Sequence, residues 1–308
     1  MKKVKIFSMK SPYREPFHIY GYIFGEGEKT AAIVGAMRGD EIQQQFVSSQ
    51  IVRILTDLEK AGRITEGKQI LVIPSVNNFS MNIGKRFWPM DNTDINRMFP
   101  GYGSGETTQR IASALFEEIK DYKFGIQLAS YHFPGDFIPH VRIIRTAVDI
   151  ASEAQKFALP YVYIKNPEPF DTVMLNYNWQ IWGAKAFSIY AGTTDTVDKH
   201  SAKLTWQAIM RFLQSSGTVE SISHPGYMSQ TLEDKDFITL TANSAGFFYC
   251  LKPSGSDVRK GETLAKILNP YDGSTEEEII SPGYFRVFFV HNKAMIMQHT
   301  AAFQLING

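Results

Sequence analysis

Through roughly the first 217 residues, short apolar runs alternate with amphipathic helical patterns. A chain patterned this way buries its apolar faces by laying helices over a sheet, so the expected class is α/β with a mixed, mostly parallel sheet. Thr30 to Met37 (TAAIVGAM) and Gln69 to Pro74 (QILVIP) are rich in valine and isoleucine, as buried strands are, and Phe124 to Ser130 (FGIQLAS) and Ala186 to Ala191 (AFSIYA) look similar. Ile42 to Ala61, Thr107 to Ile119 and Lys203 to Leu213 place apolar residues three and four apart, the spacing of a helix packed on a sheet.

After Gly217 the texture changes to short alternating segments punctuated by glycine and proline: Phe237 to Thr241, Gly246 to Leu251, Thr263 to Leu268 and Tyr284 to Val290. These predict a small C-terminal all-β barrel or sandwich. The intervening stretch, near 218 to 232, holds neither period for long. The expected division is therefore an α/β domain over 1–222 and a β domain over 223–308. At 308 residues the chain can bury a core in each.

Charge excludes several functions. With 32 Lys plus Arg against 31 Asp plus Glu, the net charge is +1, which provides no broad field for nucleic acid or an anionic membrane. The aromatic clusters RFW and FRVFF come without a basic stripe, so they read as core and pocket lining. No apolar run approaches the length of a membrane span. The lysine-led N-terminus is interrupted by Ser8, Lys10 and Pro12 and reads as mature sequence. Cys250 is the single cysteine, so no internal disulfide calls for an oxidising compartment and a cytoplasmic location is expected.

Three segments could carry chemistry. GAMRGDE, at 35 to 41, lies where a strand gives way to a helix, the place where open α/β sheets build sites. KRFWPMDNTDINRMFPG, at 85 to 101, is a polar loop whose arginines suit bidentate grip of a carboxylate. The third is FGIQLAS with an exit loop, YHFPGDFIPHVRI, ending at Ile143.

On these residues the chain resembles the succinylglutamate desuccinylase and aspartoacylase family, a branch of the zinc carboxypeptidase fold, over nearly its whole length. Asp94-Ile95-Asn96-Arg97-Met98-Phe99-Pro100-Gly101 follows the family's Asp-Leu-Asn-Arg-x-Phe-Pro-Gly, and Arg86 and Asp91 fit its upstream Arg-x-x-Pro-x-Asp. The resemblance implies an amide hydrolase with zinc held by His and Glu of Gly-x-His-Gly-Asp/Asn-Glu and by the His of Asp-Leu-His. It also implies a glutamate general base in a later strand. Here those metal positions are Arg38, Glu41 and Ala129, and the general-base position is Tyr190. The C-terminal segment resembles the family's lipoyl-like small barrel, with Gly246, Gly255, Gly261 and Pro282 at its turns.

Arginine stays protonated and offers no lone pair. A fixed +1 charge about 4 Å from a divalent ion, at an effective dielectric near 20, costs roughly 8 kcal/mol. Arg38 is thus expected in the metal's position, paired with Glu41, with no cofactor bound. Arg97, with Asn96 and Arg86, is expected to hold the carboxylate of a small ligand such as an N-acyl amino acid or peptide end; Tyr190 is expected to pack at the core edge with its hydroxyl available to a ligand. The function expected is a catalytically impaired relative, a pseudoenzyme. One alternative is an active metal-dependent hydrolase whose zinc is held by a rearranged set, with His132 as substitute ligand and His140 the other nearby histidine. Another is a non-enzymatic interaction subunit, and a homo-oligomer is left open.

Overall fold

A computed structural model describes residues 1–131, 134–220 and 225–308. The chain opens with a hairpin of β1 (Lys2–Ser11) and β2 (Arg14–Phe24), followed by β3 (Glu28–Ala36), α1 (Ile42–Lys60) and β4 (Lys68–Ser75). After α2 (Asn78–Asn82), a short 3-10 turn at Ile95–Arg97 precedes α3 (Thr107–Ile119) and β5 (Phe124–Leu128). Next come β6 (Gly135–Ile144), α4 (Ala151–Gln155), β7 (Tyr161–Lys165), α5 (Leu175–Ile181), β8 (Lys185–Gly192) and α6 (Lys199–Ser215). The rest is β: β9 (Gln230–Glu233), β10 (Phe237–Thr241), β11 (Gly246–Cys250), β12 (Asp257–Val258), β13 (Thr263–Leu268), β14 (Thr275–Ile280), β15 (Phe285–His291), β16 (Met295–Ile296) and β17 (Ala301–Asn307).

The sheet is mixed and flanked by helices, as the periodicity requires. Its centre is the parallel set β4-β3-β5-β8, with β1 and β2 added antiparallel on one side. Period-2 alternation assigns the two faces. Ala31 and Ile33 of β3 pack with Val47, Ile51 and Leu55 of α1 and with Ile209 of α6. Ala32 and Val34 face the other way, against Ile111 and Leu115 of α3 and Trp179 of α5. Both faces are covered, which is why these strands read as unbroken apolar runs.

Beyond β8 the pairing turns antiparallel. The long strand β6 pairs β8 antiparallel, β15 antiparallel through Gly135–Phe137, and β7 parallel through His140–Ile144. β15, β17 and β10 continue this sheet, while β14-β13-β11-β16 form a second, antiparallel one. Two sequence expectations need correcting. The segment from Gly135 is strand β6, not an exit loop; its Pro139 and polar residues hide the alternation, and pairing on both flanks supplies the order. Gly246 lies within β11, not at a turn, where a Cβ would sit 2.3 Å from the Leu268 carbonyl oxygen. The expected domain division falls among residues 221–224, outside the described residues.

Candidate functional site

The segment between β3 and α1 folds around one carboxylate. Glu41 precedes the first residue of α1 and is fully buried, and its side chain turns back along the chain. Oε2 accepts the backbone N–H groups of Met37 (2.7 Å) and Arg38 (3.0 Å). Oε1 accepts Nη1 of Arg38 (3.0 Å) and the hydroxyl of Ser130 (2.5 Å). The expected Arg38 to Glu41 contact is present.

Arg38, 5% exposed, is held from two sides. Its Nε and Nη2 donate to Oδ2 of Asp94 at 3.1 and 2.8 Å, and Nη1 also reaches Ser130 at 3.3 Å. Burial alone would lower the guanidinium pKa, but the charges of Glu41 and Asp94 outweigh it and raise the pKa further above its ordinary value. Gly39 follows because no side chain fits there: a Cβ would lie 2.1 Å from the Lys85 carbonyl oxygen.

Asp94 joins this cluster to the second segment. It caps the 3-10 turn through the Asn96 N–H (3.0 Å) and leaves its other oxygen to Arg38. Asn96 is buried, and its Oδ1 accepts Gln127 Nε2 (3.1 Å) and the Leu175 N–H (3.4 Å). Arg97 is different: its side chain is 45% exposed and only approaches Asp94, at 3.7 Å. Arg86 donates to Asp40 (2.6 Å), Ser130 (3.2 Å) and the Tyr131 carbonyl (2.9 Å) and lines a neighbouring cavity with Asp40. Asp91 accepts the Thr93 N–H at 2.9 Å.

At the third segment Ala129 is buried, with its N–H on Ile189 and its carbonyl on Gln44. His132 lies outside the described residues. His140 is buried, stacked on Tyr190 with ring centres 5.3 Å apart, and burial followed by the nearby charge of Arg142 pushes its pKa down to about 3. It packs as a neutral ring. Tyr190 lies at the edge of the apolar core, half-buried.

Sequence reasoning missed Arg142, which stands on β6 between Val141 and Ile143 and is 7% exposed. Its guanidinium carbon lies 4.0, 4.9 and 5.4 Å from the ring centres of Tyr190, Tyr163 and Tyr131. The register pairs Gln127 with Ser188, Ser188 with Arg142 and Arg142 with Tyr163, so four adjacent strands carry one polar row on a common face. The available signal was one charged residue inside an apolar stretch, HVRII.

These groups line a single cavity of about 490 Å³: Arg38, Asn96 and Arg97 at one end, the polar row on its floor, and Asp234, Thr239 and Gln304 from the C-terminal strands and their approach. Of its cations, Arg38 is matched by Glu41 and Asp94, and Lys165 by Asp171. Arg86 is not among the lining residues.

Zinc at the position the resemblance implies does not fit the residues present. A carboxylate offers about four lone-pair sites, and those of Glu41 are taken by two N–H groups, a hydroxyl and a guanidinium. Arg38 brings a cation where a donor is required, and Ala129 brings a methyl group. Among the described residues, no group of three or more His, Cys, Asp or Glu side chains could hold a metal.

Residues 27–216 match the succinylglutamate desuccinylase/aspartoacylase catalytic domain. Among curated proteins, the N-alpha-acetyl-L-2,4-diaminobutyric acid deacetylase of Halomonas elongata is 32% identical over 88 residues, 29% of this chain. That match spans only 24% of the deacetylase's length. Solved structures share the fold. A succinylglutamate desuccinylase from Silicibacter sp. TM1040 superposes with a TM-score of 0.83 at 19% identity, covering 99% of this chain and 93% of that one. The product-bound ectoine utilization protein EutE (DoeB) from Ruegeria pomeroyi gives 0.80 at 19%, covering 95% and 90%.

Proposed function

Because the chain belongs to the succinylglutamate desuccinylase/aspartoacylase family, we propose that it is a member in which hydrolysis is lost or strongly impaired and ligand binding is kept. The ligand is a small carboxylate, such as an N-acyl amino acid or a peptide end. The observation that carries this reading is the buried Arg38 guanidinium bonded to both Glu41 and Asp94. A metal-activated water needs about three protein ligands and an open position, and Arg38 neutralises Glu41 in the metal's stead.

Arg97 is the binding residue for the ligand carboxylate. It lines the cavity, is half in solvent, and has its nearest carboxylate already committed to Arg38. Asn96 shares that end of the cavity and positions Arg97 through the turn that Asp94 caps. The division into 1–222 and 223–308 and a cytoplasmic location belong to the same proposal. The C-terminal strands then have a role, since Thr239 and Gln304 close one side of the cavity.

Calorimetry with N-acyl amino acids, alongside an assay for release of the free amino acid with and without added zinc, tests the reading. Saturable heat without turnover is expected. Turnover that depends on zinc and survives purification would replace it with an active hydrolase using another ligand set.

A further inference from the structure

Arg142 is the lining cation of this cavity for which, among the described residues, no ion pair forms. Among the described residues no carboxylate pairs with it, its side chain makes no hydrogen bond, and its Nε is a buried atom without a partner. A buried charge is costly unless it is paired and hydrogen-bonded. Cation–π attraction from three tyrosines offsets part of that cost but fills none of the guanidinium's donor positions.

The box around it is braced. The Tyr163 hydroxyl donates to Asp234 at 2.5 Å, Tyr131 packs edge-on against Phe137 and Phe289, and Tyr190 lies flat on His140. The three tyrosine rings therefore surround the guanidinium at the cavity wall and leave its N–H donors without a partner among the described residues. Such an arrangement suits an incoming planar or tetrahedral oxyanion, which arginine grips through parallel N–H donors.

We propose that Arg142 is an oxyanion subsite of the cleft, which takes a carboxylate or phosphate of the ligand and makes the protein selective for ligands that carry two anionic groups. The proposal rests on the reading of Arg97 and Asn96 as the site of the first carboxylate. Gln127, whose amide holds Asn96, stands two strands from Arg142, a separation of about 10 Å. That span fits an N-acyl amino acid or dipeptide with an acidic or phosphorylated side chain.

Two measurements on the full chain test it, each with wild type, Arg142→Gln and Arg142→Lys. The first is thermal unfolding in phosphate and in sulfate against chloride at equal ionic strength. A ligand that binds the native state alone raises the melting temperature with saturation, whereas the general effect of these salts acts on all three proteins. Saturable stabilisation of wild type, absent in Arg142→Gln, is expected; an equal response overturns the subsite.

The second is calorimetry with N-acetylglycine, N-acetylglutamate and N-acetyl-O-phosphoserine. Wild type is expected to bind the two dianions at least about tenfold tighter than N-acetylglycine, the worth of a charge-assisted hydrogen bond. The tighter dianion identifies the oxyanion. Arg142→Gln should bring all three to similar affinity, and Arg142→Lys should keep part of the preference. Should Arg142→Gln fail to fold, Arg142→Lys decides: an unchanged preference overturns the proposal, since lysine cannot reproduce the parallel donors. Equal weakening toward all three ligands overturns it as well. If wild type binds none of them yet shows Arg142-dependent stabilisation by anions, the carboxylate-binding reading fails and the Arg142 subsite stands.

Discussion

Residue 38 closes both sides of Glu41: its guanidinium donates to Oε1 and its backbone N–H to Oε2, each at 3.0 Å. The pair is buried, so neither charge has solvent to fall back on. Arg38→Ala is expected to lower stability by about 3–5 kcal/mol, because it leaves Glu41 and Asp94 without their cation. Glu41→Ala should cost a comparable amount, and the double variant less than the sum of the two. Urea unfolding with matched slopes measures all three. Additive losses would show that the contact carries no coupling.

Metal affinity should respond to two positions together. Arg38→His with Ala129→His supplies two imidazoles beside Glu41, the number and type of ligands a zinc site needs. Zinc titration by calorimetry is expected to show saturable binding in that double variant and none in wild type. Wild-type protein that retains stoichiometric zinc through purification contradicts this.

The two arginines of the 85 to 101 loop are expected to behave differently. Arg97→Ala should weaken binding of N-acyl amino acids by about 1.5–3 kcal/mol, or roughly 10- to 150-fold, with little change in stability. Arg86→Ala should do the reverse, losing about 1–3 kcal/mol of stability while affinity stays near wild type. Its guanidinium is already spent on Asp40, Ser130 and the Tyr131 carbonyl. Affinities and unfolding midpoints of both variants separate the roles, and a tenfold loss of affinity in Arg86→Ala would assign it to the ligand after all.

His140 makes stability depend on pH. Its pKa is about 3 in the folded protein and about 6.5 when unfolded, so between these values the unfolded state holds one more proton. The contribution is fully present above pH 6.5 and is lost as pH falls, at about 1.4 kcal/mol per unit, down to the folded pKa. His291 is lowered too, chiefly by burial, and adds to the same slope. Unfolding free energies between pH 5 and 6.5 should flatten in His140→Asn relative to wild type. An unchanged slope would mean that His140 is not neutral in the folded state.

Much of the fold was legible because its signals are local. The helix at 107 to 119 and the strands at 237 to 241 and 263 to 268 coincide with their expected bounds. Strand β6 was not legible: His140 and Arg142 interrupt its pattern, and its order comes from β7, β8 and β15. The site divides along the same line. Arg38 and Glu41 stand three residues apart, so their contact could be anticipated from spacing, whereas Arg38 and Asp94 are separated by 56 positions.

The sequence by itself determined which groups are present where a metal would be expected: a permanent cation, one carboxylate and a methyl group. It also determined the α/β class, since helical and strand periods are written in residues a few positions apart. Only the tertiary structure decided how the remaining charges pair. Arg86 meets Asp40 and Arg38 meets Asp94, while Arg142 meets three aromatic faces and no anion among the described residues. Which charges share a cavity depends on strand order and register, and these follow from packing both faces of the sheet at once, a condition no short stretch of sequence contains.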